Sequence, residues 1–116
     1  MALQKSITLP NGAAGNYIRI GFLAVDHLTR EASAHFVLHA SAAQRESNPT
    51  APLALIAKLR LAGAKFDAYL GTAALAGVDS DDPVRAQVYA AAKIEPLMAG
   101  GGLRNDQLDL SDATNA

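Results

Sequence analysis

The 116-residue chain carries 10 Lys plus Arg against 11 Asp plus Glu, has a formal net charge of −1 at pH 7, and is 50% hydrophobic and 18% charged. Its length suits one domain, since domains cluster near about 100–150 residues, and a chain so apolar and weakly charged is neither disordered throughout nor a polyelectrolyte. Scattered basic residues exclude the electrostatic footprint of nucleic-acid binding, and the lack of cysteine excludes a disulfide framework, a thiol nucleophile and a thiolate metal site.

The opening MALQKSITLPNG has no apolar stretch behind Lys5 of the kind that makes a secretory signal. Ser6–Leu9 reads as a short strand closed by Pro10, Asn11 and Gly12, residues that supply turn backbone angles. Tyr17–Val25 (YIRIGFLAV) alternates as a strand, with Ile18, Ile20, Phe22 and Ala24 expected on one face and Tyr17, Arg19, Leu23 and Val25 on the other. A polar turn over 26–31 and a second alternating run, Ala32–Ala40, complete an antiparallel hairpin in which Ala34, Phe36 and Leu38 oppose Ser33, His35, Val37 and His39. Residues 41–52, with two prolines and small polar groups, read as a surface loop. Leu53–Leu61 fits a strand or a helix; its bounding prolines and the alternation of Ala57–Leu61 favour a strand with Lys58 and Arg60 on the wet face.

After Gly63, the i, i+3, i+4 spacing of Phe66, Tyr69 and Leu70 predicts a short helix over about 65–71 ending at Gly71. Asp81-Asp82-Pro83 starts a second helix, an aspartate cap with proline at the first helical position. It is expected to run from Pro83 to Glu95, burying a stripe of Val84, Val88 and Ala91 or Ala92 and stopping before Pro96. Gly100–Gly102 and the acidic NDQLDLSDATNA read as a tail that only a partner surface would order. The expected fold is α+β, a small antiparallel sheet or sandwich of about 4–6 strands with one or two helices in the C-terminal half. The compact domain is placed at 1–98 and the tail at 99–116. Lys58, Arg60, Lys65 and Asp67 interrupt the most hydrophobic region, so no transmembrane helix is predicted and the protein is expected to be soluble.

Candidate chemistry is sparse. His35 and His39 share one strand face, with Asp26 and His27 in the adjoining turn, which makes an imidazole–carboxylate cluster conceivable. Residues four apart on a strand, however, are about 13 Å apart by strand rise, too far to share a metal, and solvated strand-face histidines are the plainer reading. Asp79, Asp81 and Asp82 lack the glutamate that completes an EF-hand calcium loop, and helix capping with a favourable dipole accounts for them. Gly12, Gly15 and Gly21 do not make a GxGxxG turn, and no GxxxxGK[ST] loop is present to cradle a phosphate. None of Ser6, Ser33, Ser41, Ser47, Ser80 and Ser111 sits in a GxSxG elbow. Tyr17, Phe22, Phe36, Phe66 and Tyr69 read as core or interface anchors, and six Phe and Tyr residues in all are too few to furnish both a core and a carbohydrate site. The residues assign no catalytic, cofactor-binding or metal-binding side chain.

The arrangement ITLPNGAAGNYIRIGFLAVD, the return through FVLHASAAQRE, then AKFDAYLGTAALAG and DDPVRAQVYAAAKIEPLM resembles a group of small tailed-bacteriophage virion proteins. Thr8, Pro10, Gly12, Tyr17, Arg19 and Ile20 carry the first phrase, Phe66, Asp67 and Tyr69 the second, and Asp82, Pro83, Gln87 and Tyr89 the third. The resemblance covers nearly the whole chain. It implies a non-enzymatic, multi-copy component of a tail, fibre-attachment region or collar, whose partners are other copies of itself and other virion proteins, and which takes no cofactor, small-molecule substrate, nucleic acid or membrane. An exposed strand edge and the terminal segments are the expected contact surfaces. An assembly factor or chaperone-like module absent from the mature particle would share these features, and a small enzyme using His35, His39 and Asp26 is the reading from another class.

Overall fold

The computed structural model of the protein describes residues 2–104 and 108–115. Within them, β1 (Leu3–Thr8), β2 (Ala14–Asp26), β3 (Glu31–His39), β4 (Ala54–Ala62), β5 (Met98–Ala99) and β6 (Thr114–Asn115) form one antiparallel sheet in the order β5-β4-β3-β2-β1-β6. The helices among these residues are α1 (Ala42–Ser47), α2 (Ala64–Leu70), α3 (Thr72–Ala76) and α4 (Pro83–Ala92). The fold is α+β. No helix among the described residues is long and apolar enough to cross a membrane.

Strands β2, β3 and β4 form because their sequences alternate, and one face of the resulting sheet is dry. Ile18, Ile20, Ala34, Phe36, Leu38 and Leu61 on that face are buried, and α2 and α4 close over it with Phe66, Leu70, Val88, Tyr89, Ala91 and Ala92. The Phe36 and Tyr89 rings meet edge to face at 5.9 Å, which ties the helical layer to the middle of the sheet.

Two bulges decide which residues reach this core. Ile20 pairs with Phe36 but Phe22 pairs with His35, so Gly21 is an extra residue in β2. Beyond it the alternation reverses: Phe22 and Ala24, expected inside with Ile18 and Ile20, lie exposed on the opposite face, and Leu23 and Val25 turn toward the core. Glycine suits the position because a Cβ there would come within 2.9 Å of Val37 Cγ1. In β4, Phe36 pairs with Ala57 and Val37 with Leu55, leaving Ile56 as the extra residue, and Ile56 and Ala57 are both fully buried. Lys58 and Arg60 are exposed, as the strand reading of this segment expects.

Elsewhere the expected boundaries move. β1 starts at Leu3 rather than Ser6. The loop expected over 41–52 contains α1, capped by Ser41, whose Oγ accepts from the Gln44 N–H at 3.1 Å. α2 ends at Gly71 as expected, but the chain then forms the short α3, which was not anticipated. Asp82 caps α4 through Oδ1, which accepts from the Arg85 N–H at 3.2 Å. That helix stops at Ala92 and not Glu95, because the N–H groups of Lys93 and Ile94 bond three residues back, to Ala90 and Ala91.

The largest correction concerns the C-terminal segment. Read as a tail beyond a domain ending at residue 98, it folds against its own chain: Met98 and Ala99 form β5, Thr114 and Asn115 pair with Gln4 and Leu3, and Leu110 and Ala113 are buried in the core. Lys5 Nζ donates to the Asp109 carbonyl and, at 2.7 Å, to Asp112 Oδ1. Residues 105–107 and 116 of that stretch lie outside the described residues. Leu110→Ala is expected to cost about 2–5 kcal/mol, as a buried leucine does, seen as a lowered Tm in calorimetry; an unchanged Tm would show that this segment is not part of the core.

Candidate functional site

The histidines and Asp26 do not converge. His39, expected on a solvated strand face, is fully buried. Gln44 donates through Nε2 to the Ala51 carbonyl at 3.0 Å, so its Oε1, 2.8 Å from His39 Nδ1, accepts the imidazole N–H. Arg19 Nε donates to His39 Nε2 at 3.0 Å. Because arginine can only donate, this ring is held as the neutral Nδ1–H tautomer. Arg19 Nη2 also donates to the Pro49 carbonyl at 2.6 Å, so the cluster latches α1 and the loop after it onto the end of the sheet. His35 lies on the open face with its ring 5.0 Å from that of Phe22, and His27 sits edge-on to Phe66 at 5.5 Å. Asp26 closes the hairpin turn by accepting from the Leu28 and Thr29 N–H groups at 2.9 and 3.2 Å. Those backbone bonds, Thr29's foremost, hold its carboxyl below the ordinary aspartate value. Among the described residues, no three His, Asp or Glu are grouped to hold a metal ion.

The structure instead builds a groove along a strand edge. β1 pairs with β2 only as far as Ile18, and β2 continues to Asp26. Over 19–26 this side of β2 therefore has no strand neighbour among the described residues. Tyr89 fills the first step of the gap: its hydroxyl accepts from the Ile20 N–H at 2.7 Å, and Arg19 Nη1 donates to the Ile20 carbonyl at 3.3 Å. Past that point the edge faces a groove of about 600 Å³, walled by Phe22, Leu23, Arg45, Ser80, Asp81 and Arg85. Arg85 Nε lies 3.3 Å from Asp82 Oδ2, and Arg45 Nε is buried with no hydrogen-bond partner among the described residues. Asp81 and Asp82, read from sequence as a capping pair, thus also shape this wall.

Sequence reasoning did not identify Arg45 or Tyr89 as groove residues. The available signal was the disparity in strand length, because a short first strand cannot cover a 13-residue neighbour. The open sheet face beside the groove carries Phe22, Ser33, His35, Val37, Lys58 and Arg60, a mixed surface with one exposed aromatic ring. No protein family, curated protein or solved structure matches this chain.

Tyr89 is where site and stability meet. Burial pushes its hydroxyl above the ordinary tyrosine value, and at Tyr69 burial acts in the same direction, reinforced by nearby Glu95. A phenol whose folded pKa is raised contributes stability that is fully present below the unfolded value of about 10 and lost as pH rises through the folded one. The fold is therefore expected to weaken above about pH 10, with tyrosinate absorbance at 295 nm rising together with loss of the folded circular dichroism signal. Tyr89→Phe removes the acceptor of the Ile20 N–H, and is expected to cost about 1–3 kcal/mol in urea denaturation; a cost near zero would mean that water replaces the hydroxyl at this edge.

Proposed function

We propose that this chain is a multi-copy structural component of a tailed-bacteriophage virion, in the tail, fibre-attachment region or collar, acting through protein–protein contacts and not as an enzyme. The observation that carries the reading is how the phrases of the resemblance meet in space. Tyr89 of the third phrase accepts from Ile20 of the first at 2.7 Å. Gln87 of the third donates through Nε2 to the carbonyl of Tyr69 in the second at 3.0 Å. Gly12 of the first, at φ +90°, makes the turn that lets β2 return along β1. Residues of all three phrases thus take part in joining β2 to α4, α4 to α2 and β1 to β2, which supports treating them as one pattern.

Contact in place of catalysis fits the distribution of side chains. The imidazoles lie apart, with His39 held in a structural network, and exposed apolar groups are spread over Phe22, Leu28, Ile94 and Met98.

Quantitative mass spectrometry of density-purified, DNA-filled particles is expected to detect the chain at a copy number divisible by three or six relative to the major capsid protein. Absence from particles, with abundance in the soluble lysate, would overturn the virion assignment in favour of an assembly factor that leaves before maturation.

A further inference from the structure

The hydrogen-bonding pattern of β2 identifies what its open edge offers. The Ile20 N–H points away from β3 to Tyr89, so Ile20 belongs to the set of residues facing outward. After the extra residue at Gly21 every residue of Phe22–Asp26 lies opposite one of β3, and since Ile20 faces outward opposite Phe36, the alternation of the antiparallel ladder makes Phe22, Ala24 and Asp26 the hydrogen-bonded pairs and turns the N–H and C=O groups of Leu23 and Val25 outward. Natural sheets blunt such edges with charge, proline or a bulge. Phe22–Val25 contains none of these, and the nearest bulge lies before it.

We propose that this edge joins a second copy of the chain, β2 to β2, antiparallel about a two-fold axis at Leu23. The inference rests on the multi-copy reading above and names the surface through which copies meet. Antiparallel pairing centred on Leu23 sets each Phe22 opposite Ala24 of the other copy, the large ring beside the small side chain, on the same open face. Phe22 is 51% exposed in the single chain and gains cover by this pairing. Charge agrees with the register. Because Gly21 is an extra residue, Ile20 is two ladder steps from Leu23 and Arg19 three, so Asp26 of one copy, three steps on the other side, comes level with Arg19 of the other, at about 10 Å from the axis. There the groove holds Arg19, Arg45 and Arg85 against Asp81 and Asp82, a net positive end that meets an incoming carboxylate. Arg45, whose Nε has no hydrogen-bond partner among the described residues, lies in this wall. The contact is short beside a standard interface of about 1,600 Å², so the dimer is expected to dissociate on dilution.

Sedimentation of the full chain over about 1–500 µM, bracketing a weak association, is expected to move from the 12.0 kDa monomer toward twice that mass. Leu23→Cys gives a single thiol in a chain that has none. Across a hydrogen-bonded antiparallel pair the two Cα atoms are about 5.5 Å apart, within disulfide reach, so oxidation is expected to link two copies. Val25→Pro, which removes an outward N–H, is expected to weaken association about tenfold or more. Ala24→Glu, at an exposed position outside the core, is expected to do the same with unchanged circular dichroism. A mass that stays at 12.0 kDa across the range overturns the proposal, as does a dimer that Leu23→Cys fails to link and that both other variants leave intact. A monomeric chain whose Val25 amide is protected from exchange only in assembled particles likewise overturns it and gives the edge to a strand of another virion protein. The two readings fail separately: a chain present in particles but monomeric in solution sinks the edge pairing alone, and a dimer missing from particles sinks the virion assignment alone.

Discussion

A strand has a side-chain period of two, so one additional residue reverses every position beyond it. At Gly21 this single insertion divides β2 into a half that is inside the sheet and a half that forms a border. Before it, Ile18 and Ile20 enter the core beside Phe36 and Leu38. After it, Phe22 moves to the open face, Leu23 and Val25 take over the inward direction, and the outward backbone groups lie where β1 no longer reaches. The exposed aromatic ring follows from that change of parity, and the groove lies where, among the described residues, β2 runs on beyond its β1 neighbour. Glycine suits the inserted position, since a Cβ there would crowd the Val37 side chain.

Two polar contacts keep the elements in register, one buried and one half-buried around a buried imidazole. Tyr89 presents one hydroxyl to the Ile20 N–H, while His39 sits between an obligate donor, Arg19, and the oriented amide of Gln44. Buried groups of this kind are costly when one partner is lost, so they specify position more than they add net stability. The ion pairs Arg30–Asp67 and Arg60–Glu31 are about half exposed or more on both sides, and pairs of that kind contribute little. Stability accordingly rests on the apolar contact between the dry sheet face and α2 and α4, with the C-terminal segment closing one end through Leu110 and Ala113.

The candidate site was less legible in the sequence than the fold. His35, His39, Asp26 and His27 lie near one another along the chain, yet the sheet distributes them to an open face, a buried latch and a hairpin tip. Arg45 and Tyr89 are 44 positions apart and meet only because α1 and α4 flank the same edge. The capping pattern Ser41-x-x-Gln44 was present in the segment read as loop, but its two prolines pointed the other way. Acidic composition made the C-terminal segment look free, whereas Leu110 sits in the core and Lys5 pairs with Asp112.

Local chemistry in the sequence determined the α+β class, the β2–β3 hairpin and both ends of α2, together with the Asp82 cap and Pro83 start of α4, and favoured without fixing the strand at Ala54–Ala62. These depend on side-chain period, capping and turn residues within a few positions of each other. Tertiary structure alone decided the phase of β2 beyond Gly21, the burial of His39, the docking of Leu110 and the length over which β1 covers β2. Each of those depends on a partner distant in sequence, and a strand's own pattern carries no record of where its neighbour ends or where its neighbour lacks a residue to match it.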